Sequence, residues 1–284
     1  MSKIKICAPS RIYGSYKGGR FSASAMIEYM SKIGFDGVDI SLESLDRLDD
    51  SWKSIYYSAK RLADTKGLEI PSCHLPYYMP NPLDKIQMEG FSKQIKKGID
   101  IAAHICIPLA VVHPIALHAK TFSVEEWARA NLEFLSPICQ YARDRGVRLL
   151  IENMASSCEG DGDHLYGSTA AEIAALADAL GVGCCWDFGH AHLSGRDESE
   201  VGLLCDRLSL VHIHDNNGYT DSHSLPFEGS VNWEKAMRSL KDMGYSGYLN
   251  IEMSAWTLSP DEYVREQFGR RILYLGQRLA SMTE

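Results

Sequence analysis

The chain has little positive charge: 29 Lys and Arg stand against 37 Asp and Glu, a formal net charge of -8. This balance argues against attraction to nucleic acid or to an anionic membrane surface, so we expect neither as a partner. No apolar stretch reaches the roughly 20 residues that a transmembrane helix needs. The residues after Met1 lack the apolar core and cleavage site of a signal peptide, and we therefore expect a cytoplasmic protein.

A disulfide framework is also not indicated. Most of the eight cysteines lie inside apolar strand or helix patterns, and a chain of this length can bury a large core without covalent cross-links. We interpret them as reduced core thiols. Low-complexity tracts, linkers and sequence repeats are missing as well, so one domain covering residues 1–284 accounts for the whole chain.

Strand-like and helix-like segments alternate along the sequence. Short apolar runs typical of buried strands cover residues 4–9, 35–42, 68–71, 109–112, 147–151, 181–186, 208–213 and 245–251. Amphipathic segments with helical spacing cover residues 22–33, 52–66, 85–104, 124–145, 170–180, 233–243 and 260–282. Several helices should stop at a glycine, namely Gly34, Gly67, Gly146, Gly181 and Gly244. This alternation predicts an α/β fold, a single-domain (β/α)8 TIM barrel.

Most of these strands end in a residue that can bind a metal or move a proton. Glu152, Asp187, His214 and Glu252 follow the fifth to eighth strands. Because a barrel opens all its strand carboxyl ends onto one face, we expect these four to hold one divalent ion. Three carboxylates and one imidazole suit manganese, magnesium or cobalt, with zinc as an alternative. Any one acid could instead be a solvated strand end, but four in succession argue against that.

Further polar side chains at the same face allow for a second or third ion. They are His74, His113, His190, Asp221 and His223. A histidine near a metal is often a support or a substrate contact rather than a ligand, so both roles stay open for this set. His212 precedes His214 by two residues and shares its strand face, but we expect it one layer deeper, as a packed core histidine.

Taken together, the strand-end motifs resemble the xylose isomerase-like barrel superfamily. That superfamily contains sugar isomerases, ketose epimerases, inosose dehydratases and apurinic endonucleases of the endonuclease IV type. The resemblance spans almost the whole chain and rests on the motifs IEN, WDFGH, VHIHDN and LNIEM, which end at or near Glu152, Asp187, His214 and Glu252. It implies a divalent metal ion as cofactor at those four residues.

Three other segments, HLPY, HP and DSHSLPFEG, resemble the endonuclease branch and many sugar isomerase-like proteins. Transferred residue by residue, the endonuclease pattern implies three zinc ions. Their ligands would be His74, His113, Glu152, Asp187, His190, His214, Asp221, His223 and Glu252. The active-face loops contain almost no Lys or Arg, however, whereas a surface for duplex DNA should neutralise several phosphates.

The sequence also departs from the ketose 3-epimerases. Their Asn-Arg-x-Glu and Glu-x-Asn-Arg elements hold sugar hydroxyls, and residues 153–158 and 215–220 of this chain match neither element. The loops 216–231 and 253–259 after the last two strands contain no Lys or Arg, which favours a substrate without phosphate. Basic residues after the first strand that could still supply charge are Arg11, Lys17 and Arg20.

The sequence therefore predicts a metal-dependent isomerase or epimerase acting on a small sugar, polyol or related hydroxy-carbonyl compound. Glu152 and Glu252 would transfer a proton through an enediolate, and His190 would hydrogen-bond the substrate. Expected pocket walls are Tyr13, Tyr16, Tyr77, Tyr78, Trp186, Phe227 and Trp256. The alternatives are a multinuclear zinc phosphodiesterase of the endonuclease IV type and a non-catalytic sugar-binding barrel. A lyase also stays open, and a homodimer is a possible assembly.

Overall fold

A computed structural model gives the fold of the chain. The residues it describes are 4–10, 15–16, 19–20, 23–42, 45, 51–77, 80–81, 83–115, 123–156, 165–253 and 261–284. Of residues 15–16 and 19–20 only the backbone is described.

Eight parallel strands close into a barrel. They are β1 (Lys5–Pro9), β4 (Gly37–Ser41), β5 (Ser72–His74), β6 (Leu109–Val112), β7 (Arg148–Glu152), β8 (Gly183–Asp187), β9 (Leu208–Ile213) and β10 (Tyr248–Ile251). Consecutive barrel strands pair with one another, and β10 pairs with β1 to complete the ring. Two short strands, β2 (Ser15–Tyr16) and β3 (Gly19–Arg20), form a separate antiparallel pair. The predicted (β/α)8 fold is confirmed.

Helices alternate with the strands. They are α1 (Ala23–Ile33), α2 (Trp52–Lys66), α3 (Lys85–His104), α4 (Val124–Arg143), α5 (Ala170–Leu180), α6 (Phe188–Leu193), a 3-10 helix (Glu198–Arg207), α7 (Trp233–Asp242) and α8 (Glu262–Ser281). Helix α2 ends at Gly67 and α5 ends at Gly181, with φ of 68° and 66°, a left-handed conformation that glycine adopts without strain. Within the described ranges, no helix combines the length and the apolar character needed to cross a membrane.

The main core lies between the barrel wall and the helices. On α1, for example, Ile27 and Met30 are fully buried, as is Val38 on β4. Fully burying one such side chain contributes roughly 1.5–3 kcal/mol. A second, separate cluster of buried residues comes from four neighbouring strands and fills the barrel interior; it consists of Val111, Leu150, Cys185 and Leu210. This apolar cluster lies beneath the polar residues at the strand ends.

The structure corrects two sequence predictions. The third strand was predicted at residues 68–71 but forms at Ser72–His74, and Glu69 makes only an isolated bridge to Gly37. Pro71 lies between them and has no N–H to donate to a sheet, which explains the later start. The segment after β8, where no helix was predicted, contains α6 and the 3-10 helix. Helix α6 begins there because the Asp187 side chain accepts a hydrogen bond from the His190 backbone N–H at 2.7 Å.

The cysteines of the described part of the chain are all free thiols. Five are buried, as expected for core thiols: Cys7, Cys73, Cys139, Cys184 and Cys185. Cys106 and Cys205 are exposed, against that expectation, and both have a positive φ. Cys106 lies in the turn after α3, and Cys205 lies at a kink inside the 3-10 helix. Cys158 lies outside the described residues.

Candidate active site

Three groups of potential metal ligands meet at the carboxyl-end face of the barrel. The Glu–His group is His74, His113 and Glu152; the carboxylate group is Glu152, Asp187, His212 and Glu252; the outer group is His190, His214, Asp221 and His223. Within each group, one ligand atom per residue lies within 4.8 Å of all the others. All predicted metal and catalytic residues are therefore found at this face, distributed over three groups instead of one.

Glu152 belongs to two of these groups. Its Oε2 lies 3.2 Å from Nε2 of His74 and 3.0 Å from Nε2 of His113. Its Oε1 lies 2.9 Å from Nδ1 of His212. Two atoms bound to one tetrahedral zinc at about 2.0–2.1 Å are roughly 3.3 Å apart, so these spacings suit ligands of a shared ion. The fully buried Glu152 carboxylate thus has one oxygen facing each of two groups of potential metal ligands.

Three histidines are held by the backbone in the tautomer that a metal ligand needs. Nδ1 of His74 donates to the Leu75 carbonyl at 2.8 Å. Nδ1 of His190 donates to the Asn153 carbonyl, and Nδ1 of His223 donates to the Glu252 carbonyl, both at 3.0 Å. The Nε2 atoms then point at carboxylates. The lone pair of Nε2 and a carboxylate oxygen repel each other, so each such contact requires a proton or a cation between the two atoms. A hydrogen bond from Nδ1 to a backbone carbonyl is the usual support of a histidine that binds a metal through Nε2.

The carboxylate group also contains a buried carboxylate oxygen that has no hydrogen-bond partner among the described residues. Oδ1 of Asp187 accepts a hydrogen bond from the His190 backbone, but Oδ2 is buried and has no hydrogen-bond partner in the described ranges. Burying a carboxylate oxygen without a partner is costly. Nδ1 of His212 lies 3.2 Å from Oε2 of Glu252 and 4.0 Å from this oxygen. A divalent ion held by these residues would satisfy it, so the donor set fits a metal.

His212 and His214 exchange the places that the sequence predicted for them. His212, expected in the core, lies among the carboxylates, and His214, expected in the four-residue metal set, lies in the outer group. Strand register explains the exchange, because β9 pairs His212 directly with Asp187 of β8. His212 is therefore level with Asp187 and not one layer below. The pattern His-x-His puts both rings on one strand face and does not indicate which of them stands at the level of the acids.

The buried charges shift one another's pKa values. Burial alone would raise the pKa of Glu152, but His212 and His113 hold it well below its ordinary value. Burial lowers the pKa of His212, and the opposing effects of Cys185, Glu152 and Glu252 outweigh it, so that this pKa lies well above the ordinary value. The site therefore keeps Glu152 as an anion, the form in which a carboxylate can hold a cation.

The outer group lies on the solvent side of the other two. Oδ2 of Asp221 is 3.6 Å from Nε2 of His190 and 3.4 Å from Nε2 of His223. The Asp221 side chain is 39% exposed, whereas His190 is buried. Burial raises the pKa of Asp221, but the hydrogen bonds from His190 and His223 lower it by a larger amount. The pKa therefore lies below the usual range for aspartate. Asp221 is thus an ionised carboxylate on the solvent side of the site.

Sequence reasoning also missed Asp39, a fully buried carboxylate on β4. Its Oδ2 accepts a hydrogen bond from Ser72 Oγ at 2.6 Å. Burial raises its pKa, while Ser72 and the nearby His212 and His74 lower it. An acid within the apolar run 35–42 was the available signal, because a charged residue inside a strand needs partners in the barrel.

Of the predicted pocket walls, Tyr77 lies at the site. Its ring centroid is 5.3 Å from that of His74 and 5.5 Å from that of His113. Trp186 is fully buried in the main core, so its prediction as a wall is wrong, and Phe227 is half-buried against that core. The other expected walls and basic residues lie outside the residues whose side chains are described; they are Arg11, Tyr13, Tyr16, Lys17, Arg20, Tyr78 and Trp256.

The family model of the xylose isomerase-like TIM barrel matches residues 27–270, and the chain belongs to this family. An uncharacterized protein, MJ1311, of Methanocaldococcus jannaschii is 29% identical over 81% of this chain and 79% of its own length. Fructoselysine 3-epimerase of Shigella flexneri is 26% identical over 84% of this chain and 88% of its own. Among solved structures, a D-tagatose 3-epimerase-like protein superposes with a TM-score of 0.77, covering 98% of both chains at 24% identity, which shows the shared fold.

Proposed function

We propose that this protein is a divalent-metal-dependent isomerase or epimerase of a small sugar, polyol or related hydroxy-carbonyl compound. The observation that carries the proposal is the carboxylate group, in which Glu152 and Glu252 lie 2.9 Å and 3.2 Å from the same His212 nitrogen. A protein that only binds sugar does not need two potential bases beside one ion site. The relationship to sugar epimerases and isomerases supports this choice of chemistry.

A bound divalent ion would polarise the substrate carbonyl and favour enediolate formation. Glu252 would remove the proton next to the carbonyl. It directly follows β10, and its side chain is 4% exposed. Glu152, from β7, would return a proton from the other side. His190 would donate a hydrogen bond to a substrate oxygen from a protonated Nε2, while its Nδ1 stays bonded to the Asn153 carbonyl. Return to the original carbon gives epimerisation, and return to its neighbour gives isomerisation.

Solvent labelling tests this proton transfer. When a substrate is turned over in deuterated water, we expect deuterium at the epimerised carbon or at the carbon that receives the proton, because the carboxyl proton exchanges with solvent. Mass spectrometry and NMR of the product locate the label. A product with no deuterium would exclude proton transfer through Glu152 and Glu252 and indicate a hydride shift between carbons.

One observation favours a second candidate, a multinuclear zinc phosphodiesterase. The two oxygens of Glu152 face two different ligand groups, as a carboxylate does when it bridges two ions. The histidines of the Glu–His and outer groups suit zinc, whereas the carboxylate group suits manganese, magnesium or cobalt. Metal analysis of the protein distinguishes the candidates: one manganese-like ion supports the isomerase, and close to three zinc ions support the phosphodiesterase.

We expect no incision of duplex DNA, because the chain has a net charge of -8 and few basic residues on its active-face loops. A nicking assay with an abasic duplex, at low salt and with zinc supplied, measures this directly. An endonuclease of this family run in parallel shows that the assay works. Efficient incision by this protein would overturn the isomerase proposal and establish the second candidate.

A further inference from the structure

His214 lies between two acids that belong to different ligand groups. Its ring is fully buried, and its Nε2 is 3.0 Å from Oδ1 of Asp187 in the carboxylate group. The same nitrogen is 3.8 Å from Oδ1 of Asp221 in the outer group. Neither ring nitrogen makes an aligned hydrogen bond to any residue that the structure describes. The imidazole edge is therefore aimed at the junction of the two groups.

The geometry of His214 differs from that of a metal ligand. His74, His190 and His223 each have Nδ1 fixed by a backbone carbonyl, whereas Nδ1 of His214 has no such partner within the described ranges. Its ring also stacks on His223, with centroids 3.8 Å apart and planes inclined by 13°. An ion about 2.0 Å from both Nε2 atoms would lie over the ring faces and away from the in-plane lone pairs. The two rings therefore do not serve as ligands of one ion.

The surrounding backbone leaves room for this ring. A Cβ on Gly189 would come within 2.1 Å of Cε1 of His214, so no other residue fits at position 189 without displacing the imidazole. The Gly189 carbonyl is in turn fixed by a hydrogen bond from the Asn216 side chain at 2.8 Å. His223, the stacking partner, has a φ of 43°, uncommon for a residue other than glycine. The stacked pair is thus held by backbone on both sides.

We infer that His214 is a positioning residue that couples the carboxylate group to the outer group. Its Nε2 edge orients Asp187 in the carboxylate group, and its face orients His223 in the outer group. Occupancy of one group then changes the affinity of the other, and by thermodynamic linkage the effect is reciprocal. This inference rests on the metal binding in the proposed function and, in addition, on an ion at the outer group. It assigns His214 no direct contact with the ion.

Two variants test the Nε2 edge and the ring face of His214 separately. His214→Gln keeps an N–H near the position of Nε2 and removes the ring, whereas His214→Phe keeps the ring and removes the N–H. Cobalt affinities are measured by competition with a chromophoric chelator, and Asp221→Asn identifies which affinity belongs to the outer group. His192→Gln is the matched control, because His192 bonds Ser230 at 2.8 Å and belongs to none of the three groups.

We expect the Phe variant to bind cobalt about 10- to 100-fold more weakly at the carboxylate group, the usual effect of losing a residue that supports a ligand. The Gln variant should weaken the outer group instead, and His192→Gln neither. The number of bound ions should stay unchanged in all three. Loss of one ion in both His214 variants would show that His214 is a metal ligand. Wild-type affinities in both variants would show that His214 has no role in metal binding. Either result overturns this inference and leaves the proposed function standing. A wild-type protein that binds none of cobalt, manganese, magnesium and zinc would overturn the proposed function as well.

Discussion

Replacing Glu252 by Gln is expected to slow sugar turnover by roughly 100- to 10,000-fold, the usual contribution of a positioned acid or base. Glutamine keeps the size of the side chain and an oxygen that can face His212, which lies 3.2 Å from Oε2 of Glu252. It cannot take a proton from carbon. The loss should therefore fall on kcat, with KM and metal content close to those of the wild type, and both are measured on the same sample.

Glu228→Gln is the matched control for this experiment. Glu228 is a surface residue, 43% exposed, that pairs with Arg271 and belongs to none of the three ligand groups. Its replacement changes the same charge and should leave turnover unchanged. A Glu252→Gln protein that retains its metal and turns over sugar at the normal rate would exclude Glu252 as the base. Loss of metal in that variant would instead show that Glu252 is needed as a ligand.

Much of the fold was predictable because the local signals are independent of tertiary structure. Helix α2 was predicted at residues 52–66 and strand β9 at 208–213, and both form within those bounds. For α2, the amphipathic spacing and the glycine at 67 agree, so the helix has only one way to bury its apolar face. Parallel strands alternating with helices of this kind close most simply as a barrel.

The details of the site were less predictable because they depend on register between strands. The sequence shows that His212 and His214 share one strand face, but only the pairing of His212 with Asp187 shows which ring stands among the acids. The same limit applies to Glu152. Its place at a strand end was evident, but the division of its two oxygens between His113 and His212 depends on three strands and could not be predicted from any motif.

The division of Glu152 between two groups gives the largest expected effect on stability. An ion that binds only the folded protein at 1,000 times its Kd adds about 4 kcal/mol. In a large domain each kcal/mol raises Tm by roughly 2–4 °C. Removing the ions with a chelator is therefore expected to lower Tm by about 10 °C, and adding back manganese or zinc should restore it. Differential scanning calorimetry measures both steps.

Glu152→Gln should abolish most of this metal-dependent stabilisation. The neutral amide offers the ions no negative charge, and its nitrogen faces imidazole atoms that the carboxylate oxygens now contact at 3.0 Å and 2.9 Å. Because Glu152 belongs to the Glu–His group and the carboxylate group, one substitution should remove a ligand from two ion positions, whereas Asp221→Asn removes a ligand from the outer position alone. Glu228→Gln should keep the full response to chelation. If Glu152→Gln still gains about 10 °C when metal is added, Glu152 is not a bridging ligand, and the ions bind elsewhere.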